Sequence, residues 1–212
     1  MASSDGPVLD DDGVHAWEQS ASASANEIVP KLFVGDRVAA LYPPPSVSHV
    51  VNITQRLPCS HGGRLRYLHI DLDDNDNAPI HKHFHESNKF IEEGRKADGV
   101  LVHCQSGMSR SVTLVIAYLI SNGQTLANAY ELVRSKRPGI LPNRGFFVRL
   151  QSHERALDHA VSMTTEDADV ERLVHPFMAH PRERARAVLR EHGGNYHKAL
   201  EQLCEQREQC ET

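Results

Sequence analysis

The chain has 212 residues, enough for one domain of ordinary size plus a smaller one, and a formal net charge of -5. Residues 1–27 hold six acids and no Lys or Arg, so the remainder is nearly neutral and carries no basic stripe suited to nucleic acid. No apolar run approaches the roughly 20 residues of a membrane span, and Cys59, Cys104, Cys204 and Cys210 have neither the density nor the spacing of a disulfide framework or a zinc site.

Residues 1–25, with Asp10-Asp11-Asp12 and a Ser/Ala run, read as a disordered acidic leader without the basic and apolar regions of a secretory signal. Met1-Ala2 lacks the second-position glycine that myristoylation requires. A soluble protein of a reducing compartment, cytoplasmic and also nuclear, with no membrane or nucleic-acid partner, is the expectation.

From Asn26 the pattern alternates between strands and helices. Ile28 to Val34, interrupted by Pro30, predicts a bent edge strand or a hairpin. Asp36 to Leu41 predicts a short helix stopped by Pro43-Pro44-Pro45, and Val47 to Ile53 a strand. After a polar loop, Arg66 to Leu72 predicts another strand, followed by an acid-rich stretch with Asp71, Asp73, Asp74 and Asp76. His81 to Lys96 predicts an amphipathic helix with Phe84, Phe90 and Ile91 inward. His81, His83 and His85 do not share one helix face, so a solvated helix start is preferred to a metal set.

Gly99 to Val102 is apolar enough for a buried strand, and Val112 to Ile120 is apolar on every side, as a buried helix is. Between them runs His103-Cys104-Gln105-Ser106-Gly107-Met108-Ser109-Arg110-Ser111. Strand, tight loop and helix would turn the amides of about Gln105 to Arg110 inward, beside the positive end of the helix, into a cup for an oxyanion. A thiol facing a helix N-terminus and an arginine is favoured as thiolate, the nucleophilic form. Cys104 is therefore the candidate nucleophile, and Arg110 the planar donor to two phosphate oxygens. Gln105, Ser106, Gly107, Met108 and Ser109 would line the cup, with Gly107 allowing a turn that a Cβ would crowd. His103 would orient the cysteine main chain, and Ser111 would donate to the sulfur as it leaves.

His-Cys-x-x-Gly-x-x-Arg-Ser resembles the signature of the dual-specificity branch of the cysteine-dependent protein tyrosine phosphatases. The resemblance covers about 26–160, where Glu27-Ile28-x-Pro30-x-Leu32-Phe33-x-Gly35 is similar to the family's opening stretch. It implies an α/β fold of the protein tyrosine phosphatase type, with a mostly parallel central sheet and helices on both faces. It also implies the leaving-group acid: in Tyr67-x-x-Ile70-x-x-x-Asp74 the matching position is Asp74. Asp73 is the reserve, and a carboxylate cluster or a plain polar loop has the same composition. Leu126 to Ser135 predicts a helix, and Arg137-Pro138-Gly139-Ile140-Leu141-Pro142-Asn143 is similar to the segment behind the phosphate loop, where Asn143 would hydrogen-bond the loop and hold its unusual backbone. Phe146, Phe147 and Leu150 begin a closing helix. No cofactor or metal is implied. Cys59 is by default an ordinary loop thiol; a protective disulfide with Cys104, known in some phosphatases, has no support in its spacing.

Residues 161–212 read as a separate small all-α unit with three apolar patches: Val170, Leu173 and Val174; Ala185, Val188 and Leu189; Ala199, Leu200 and Leu203. Gly193-Gly194-Asn195 stops the second helix and starts the third. The pattern resembles the ubiquitin-associated and CUE folds, which implies a ubiquitin or other protein partner. Pro176-Phe177-Met178 and Leu203-Cys204 depart from the residues with which those folds bind ubiquitin. A ubiquitin module and a helical appendage packed on the phosphatase core both remain open.

The implied activity is dephosphorylation of phosphotyrosine and of phosphoserine or phosphothreonine in proteins, a kinase among the partners considered. Phosphoinositide phosphatases of the family that the motif resembles tend to place Lys or Arg at the variable loop positions, so the uncharged Gln105, Ser106, Met108 and Ser109 favour phosphoprotein. A phosphatase for a lipid, nucleotide or glycan phosphate, or an inactive phosphate-binding adaptor, are the alternatives.

Overall fold

A computed structural model describes residues 24–55, 57–59, 61, 63–158, 160–175 and 180–210. The predicted acidic leader lies outside the described residues except for its last two positions. The chain runs β1 (Ala25–Val29), β2 (Leu32–Gly35), α1 (Arg37–Leu41), β3 (His49–Asn52), β4 (Arg66–His69), a 3-10 turn (Ile80–His83), α2 (Phe84–Lys96), β5 (Val100–His103), α3 (Arg110–Ser121), α4 (Leu126–Lys136), α5 (Arg144–Ala156), α6 (Thr165–Leu173), α7 (Arg182–Glu191) and α8 (Tyr196–Cys210).

The strands form one sheet in the order β1-β2-β5-β3-β4. β1 and β2 pair antiparallel as a hairpin, while β2–β5, β5–β3 and β3–β4 are parallel. Pro30 and Lys31 make the turn, with Lys31 at φ 67 and its amide donating to Glu27 Oε1 at 2.8 Å. The sheet is mixed but mostly parallel, as expected for the fold class.

Helices flank the sheet unevenly. Val100 and Val102 of β5 turn toward the large core, which α2 to α5 cover, and residues 111–120 of α3 are all buried. Leu101 turns the other way, onto a small cluster of Ala39, Val47, Val50 and Leu65. That face is covered by α1, only five residues long. The short link from β2 to β3 leaves no length for a longer helix there, so an even division of helices between the faces is not what this chain builds.

Two predicted boundaries move. β4 ends at His69; the Ile70 amide still donates to the Asn52 carbonyl at 2.9 Å, and then the acid-rich stretch leaves the sheet. The helix predicted from His81 begins as a 3-10 turn after Pro79 and becomes α-helical at Phe84. Phe84 and Ile91 are buried, and Phe90 rests edge-on against His49 with ring centroids 5.2 Å apart.

The C-terminal helices enclose a core of their own made of Val170, Leu173, Ala185, Val188, Leu189, Ala199 and Leu203. Gly193 and Gly194, at φ 60 and 80, end α7 in the left-handed conformation that glycine adopts without strain. Thr164 and Asp167 cap α6 reciprocally. This unit is not free of the larger body, because Met163 and Ala168 join the large core and Arg134–Glu171 and Arg144–Asp169 pair at 3.4 Å each. Pro176-Phe177-Met178 lies outside the described residues. Among the described residues, no helix is long and apolar enough to cross a membrane.

Candidate active site

β5 carries the chain to His103 at the centre of the sheet, and α3 begins at Arg110, so the six residues between are held at both ends by buried elements. Their carbonyls are occupied from behind. Arg37 N donates to the Gln105 carbonyl at 3.2 Å, and Leu141 N to that of Met108 at 2.8 Å. Arg137 donates from Nε to the Gly107 carbonyl at 2.7 Å and from Nη2 to that of Ser106 at 3.3 Å. In a planar trans peptide the N–H opposes the C=O, so fixing four consecutive carbonyls on the supporting side turns the next four amides the other way. This is the frame an anion cup requires. Gly107 has φ +66, and a Cβ there would lie 2.4 Å from the Arg137 guanidinium and 2.7 Å from the Gly35 carbonyl oxygen. No side chain fits at that position.

Cys104 is 1% exposed, and Ser111 Oγ donates to its Sγ at 3.3 Å. His103 is equally buried, with Nδ1 at 3.5 Å from the Cys104 carbonyl oxygen. Burial pushes its pKa down to about 4, so the ring is neutral at physiological pH.

A cavity of about 420 Å³ lies alongside, lined by Thr54, Gln55, Leu57, Asp73, Asp74, Gln105 and Arg110. Arg110 turns one edge toward the acid-rich stretch: Nη1 donates to the Leu72 carbonyl at 2.9 Å, and Nε stands 3.6 Å from Asp74 Oδ2, buried without a hydrogen-bond partner. The sequence pattern gives this arginine only to the cup. In the fold it also ties the acid-rich stretch to the start of α3.

Asp74 Oδ1 accepts from Ser109 Oγ at 2.7 Å and from Asn143 Nδ2 at 2.8 Å. Asn143 meets the loop at Ser109 through its main-chain N–H, and its side chain reaches the acid-rich stretch. Its Nδ2 serves Asp74, its Oδ1 caps α5 by accepting from Phe146 N at 2.8 Å, and its amide donates to Ser109 Oγ at 3.1 Å. Asp73 lines the same cavity, while the Asp76 carboxylate accepts from Gly145 N at 3.1 Å.

Two residues gain weight that local pattern did not lend them. Ser109 was only a loop-lining position, yet its hydroxyl links Asp74 to Asn143. Arg137 supports the loop and also reaches Asn26 Oδ1 at 2.6 Å and the Ser24 carbonyl at 3.2 Å. Its one sequence signal was its place in the segment similar to the stretch behind the phosphate loop. Cys59 is an exposed free thiol. Among the described residues, no three His, Cys, Asp or Glu side chains come together as a metal site.

A cup of fixed amides with a thiol at its edge and an arginine beside it is built for a tetrahedral dianion, which defines the class as the cysteine-dependent phosphatases. The chain belongs to the dual specificity phosphatase family: residues 39–156 match its catalytic domain. Among relatives, MAP kinase phosphatase with leucine-rich repeats protein 1 of Dictyostelium discoideum is 37% identical over 135 residues, covering 61% of this chain and 16% of the relative. Dual specificity protein phosphatase 7 of Homo sapiens is 39% identical over 115 residues, or 52% of this chain and 27% of the relative. The chain thus spans only a minor part of these longer proteins. The crystal structure of human DUSP28 superposes with a TM-score of 0.60 and 29% identity, over 64% of this chain and 95% of that one. Residues 157–212 lie beyond the family match.

Proposed function

We propose that this protein removes phosphate from phosphotyrosine and from phosphoserine or phosphothreonine in proteins, through a cysteinyl-phosphate intermediate. One observation carries the reading: Ser111 Oγ donates to Cys104 Sγ at 3.3 Å beside a loop whose carbonyls from Gln105 to Met108 are all engaged from behind. Cys104 Sγ attacks phosphorus in line, an S–P bond forms and the bond from phosphorus to the side-chain oxygen breaks. Asp74 gives that oxygen its proton. Oδ1 is taken by Ser109 and Asn143, so Oδ2 is the atom left to carry it. Arg110 and the amides of Gln105, Ser106, Gly107, Met108 and Ser109 bind the three equatorial oxygens, where charge grows in the transition state. Water then attacks phosphorus, Asp74 takes its proton, and the S–P pair returns to sulfur as Ser111 donates to the departing thiolate. The products are the free hydroxyl side chain and inorganic phosphate.

The loop carries no Lys or Arg besides Arg110, which supports a phosphoprotein over a polyphosphorylated lipid. The names of the relatives above support a phosphorylated kinase as the substrate class. The chemistry needs a free thiol, so the proposal includes a reducing compartment, cytoplasm or nucleus.

For residues 161–212 we propose a CUE- or UBA-like three-helix unit that serves as an appendage of the catalytic domain at 26–160. Its ion pairs to Arg134 and Arg144 support this, as does Leu203, which is 1% exposed within the unit's own core. Calorimetric titration of ubiquitin into the full chain decides the alternative: measurable saturable heat would restore the ubiquitin reading.

The test of the activity is phosphate release from a peptide phosphorylated on threonine and tyrosine. Release from both residues is expected, abolished in Cys104→Ser and lowered about 10²–10⁴-fold in Asp74→Ala. A reduced, folded protein that turns over lipid or nucleotide phosphates and not the peptide would replace the phosphoprotein assignment.

A further inference from the structure

Asn143 orients Asp74, and the residues on either side of Asn143 are gripped by the C-terminal unit. The Arg172 guanidinium, on α6, donates from Nη2 to the Pro142 carbonyl. Asp169, one turn earlier on the same helix, faces Arg144 at 3.4 Å and is 2% exposed, so the pair is anchored on a buried carboxylate. The other side of this segment presses on the acid-rich stretch. Gly145 N donates to Asp76 Oδ1 at 3.1 Å, and a Cβ on residue 145 would lie 1.9 Å from the Asp76 carbonyl oxygen. Residues 142–145 are thus a short bridge with α6 on one side and the stretch around Asp74 on the other.

The bridge transmits position because each polar group of Asn143 that faces its neighbours is engaged. Its amide oxygen caps α5, its amide nitrogen serves Asp74, and its main-chain N–H serves Ser109. A main-chain shift at Pro142 therefore moves all three bonds together. Arg172 lies outside the part of the chain that matches the phosphatase family, so this support is an addition of the C-terminal unit.

We propose that Arg172 is a positioning residue for the catalytic acid: through the Pro142 carbonyl it fixes Asn143, and through Asn143 it sets the direction in which Asp74 offers its proton. The proposal rests on the function proposed above, with Asp74 as the acid. A contact that only glues two units together would slow all substrates alike. One that acts through the acid slows most the substrate that most needs a proton.

Two aryl phosphates separate these cases in the full chain. The p-nitrophenolate group departs with little help, whereas the phenolate of phenyl phosphate needs protonation. Arg172→Ala is expected to lower kcat/KM, which reports the leaving-group step and not the hydrolysis of the shared intermediate, on phenyl phosphate by about threefold to tenfold and on p-nitrophenyl phosphate by less than about twofold, since a displaced acid forfeits part of a contribution of roughly 10²–10⁴. Arg172→Lys, which keeps a donor, should recover most of the loss. In an Asp74→Asn background the Arg172→Ala loss should vanish, because the group it acts through is gone. An equal fall in kcat/KM on both substrates, or a loss that persists in Asp74→Asn, overturns the proposal. Should Arg172→Ala not fold, Arg172→Gln is read by the same substrate ratio. If Asp74→Asn leaves the ratio of the two substrates unchanged while the wild type is active, the acid assignment fails and takes this inference with it; a wild type inactive on both substrates refutes the function itself.

Discussion

Burial holds the His103 imidazole neutral, with its pKa near 4, whereas in the unfolded chain the same ring takes a proton at about 6.5. Between those values the unfolded chain binds the extra proton. The neutral ring's contribution to stability is thus fully present above about pH 6.5 and is lost as pH falls toward 4. The difference is worth about 3 kcal/mol. His49, His81 and His153 are shifted in the same direction, chiefly by burial, and add to the slope. Chemical unfolding at pH 7 and at pH 4.5 should therefore show a marked loss of stability on acidification, and His103→Gln should flatten it; an unchanged slope in that variant would reassign the effect. Ser111 is fully buried against the nucleophile, and its single bond to sulfur has a different signature. Ser111→Ala should leave the first chemical step nearly intact and slow release of sulfur about tenfold to a hundredfold, the worth of one hydrogen bond to a charged group. A rapid-mixing burst of p-nitrophenol followed by slow turnover is the expected trace, and a single linear phase would count against the role.

Among the elements, the loop from Cys104 to Ser109 owes its shape to a residue 30 positions or more downstream. Burial lowers the pKa of Arg137, but its guanidinium stays charged and divides its donors among Gly107, Ser106, Asn26 and Ser24. Arg137→Ala takes the donor from the Gly107 and Ser106 carbonyls and should cost about 3 kcal/mol or more, with weaker inhibition by inorganic phosphate as the loop loosens. Urea unfolding and phosphate inhibition constants measure the two effects, and a variant as stable as wild type would show the loop to be self-supporting. What the sequence made legible follows the range of the interactions involved. β5, α3 and the hairpin announce themselves through apolar runs and Pro30, all local signals. The seven residues of the small C-terminal core stand at helical spacing, with Val174 and Leu200 at its margin. The motif around Cys104 pointed to the proposed nucleophile, to Arg110 and to Ser111, which the fold brings together around one loop. Legibility fails where partners are distant. Nothing near Ser109 indicates that its hydroxyl meets Asp74, 35 positions earlier, and nothing near Asn143 indicates that its amide turns to the acid, 69 positions away. The 3-10 start of α2 and the early end of β4 were missed because both depend on where the acid-rich stretch must pass.

For the whole molecule, α6 decides how the two cores behave together. It gives Ala168 to the large core and Val170 and Leu173 to the small one, and it makes ion pairs back to α4 and α5. Helical units that share an element in this way should not melt separately. A single calorimetric transition is expected, with calorimetric and van't Hoff enthalpies in agreement. Val188→Ala, a truncation confined to the small core, should lower the stability of that one transition by about 1–3 kcal/mol rather than split it. Two resolved transitions would mean that α6 does not couple them. The strand order holds a further consequence, for a chain still being made. β5 occupies the centre of the sheet but is the last of the five strands to be synthesised. Until it emerges, β1–β2 and β3–β4 are two narrow ribbons with an open edge facing an unfilled gap, the kind of surface that chaperones shield. Residues 100–103 close that gap, and Cys104 follows at once. A ribosome-bound nascent chain should accordingly acquire phosphate binding in a single step, once Arg137 and Leu141, which hold the loop from behind, have cleared the exit tunnel.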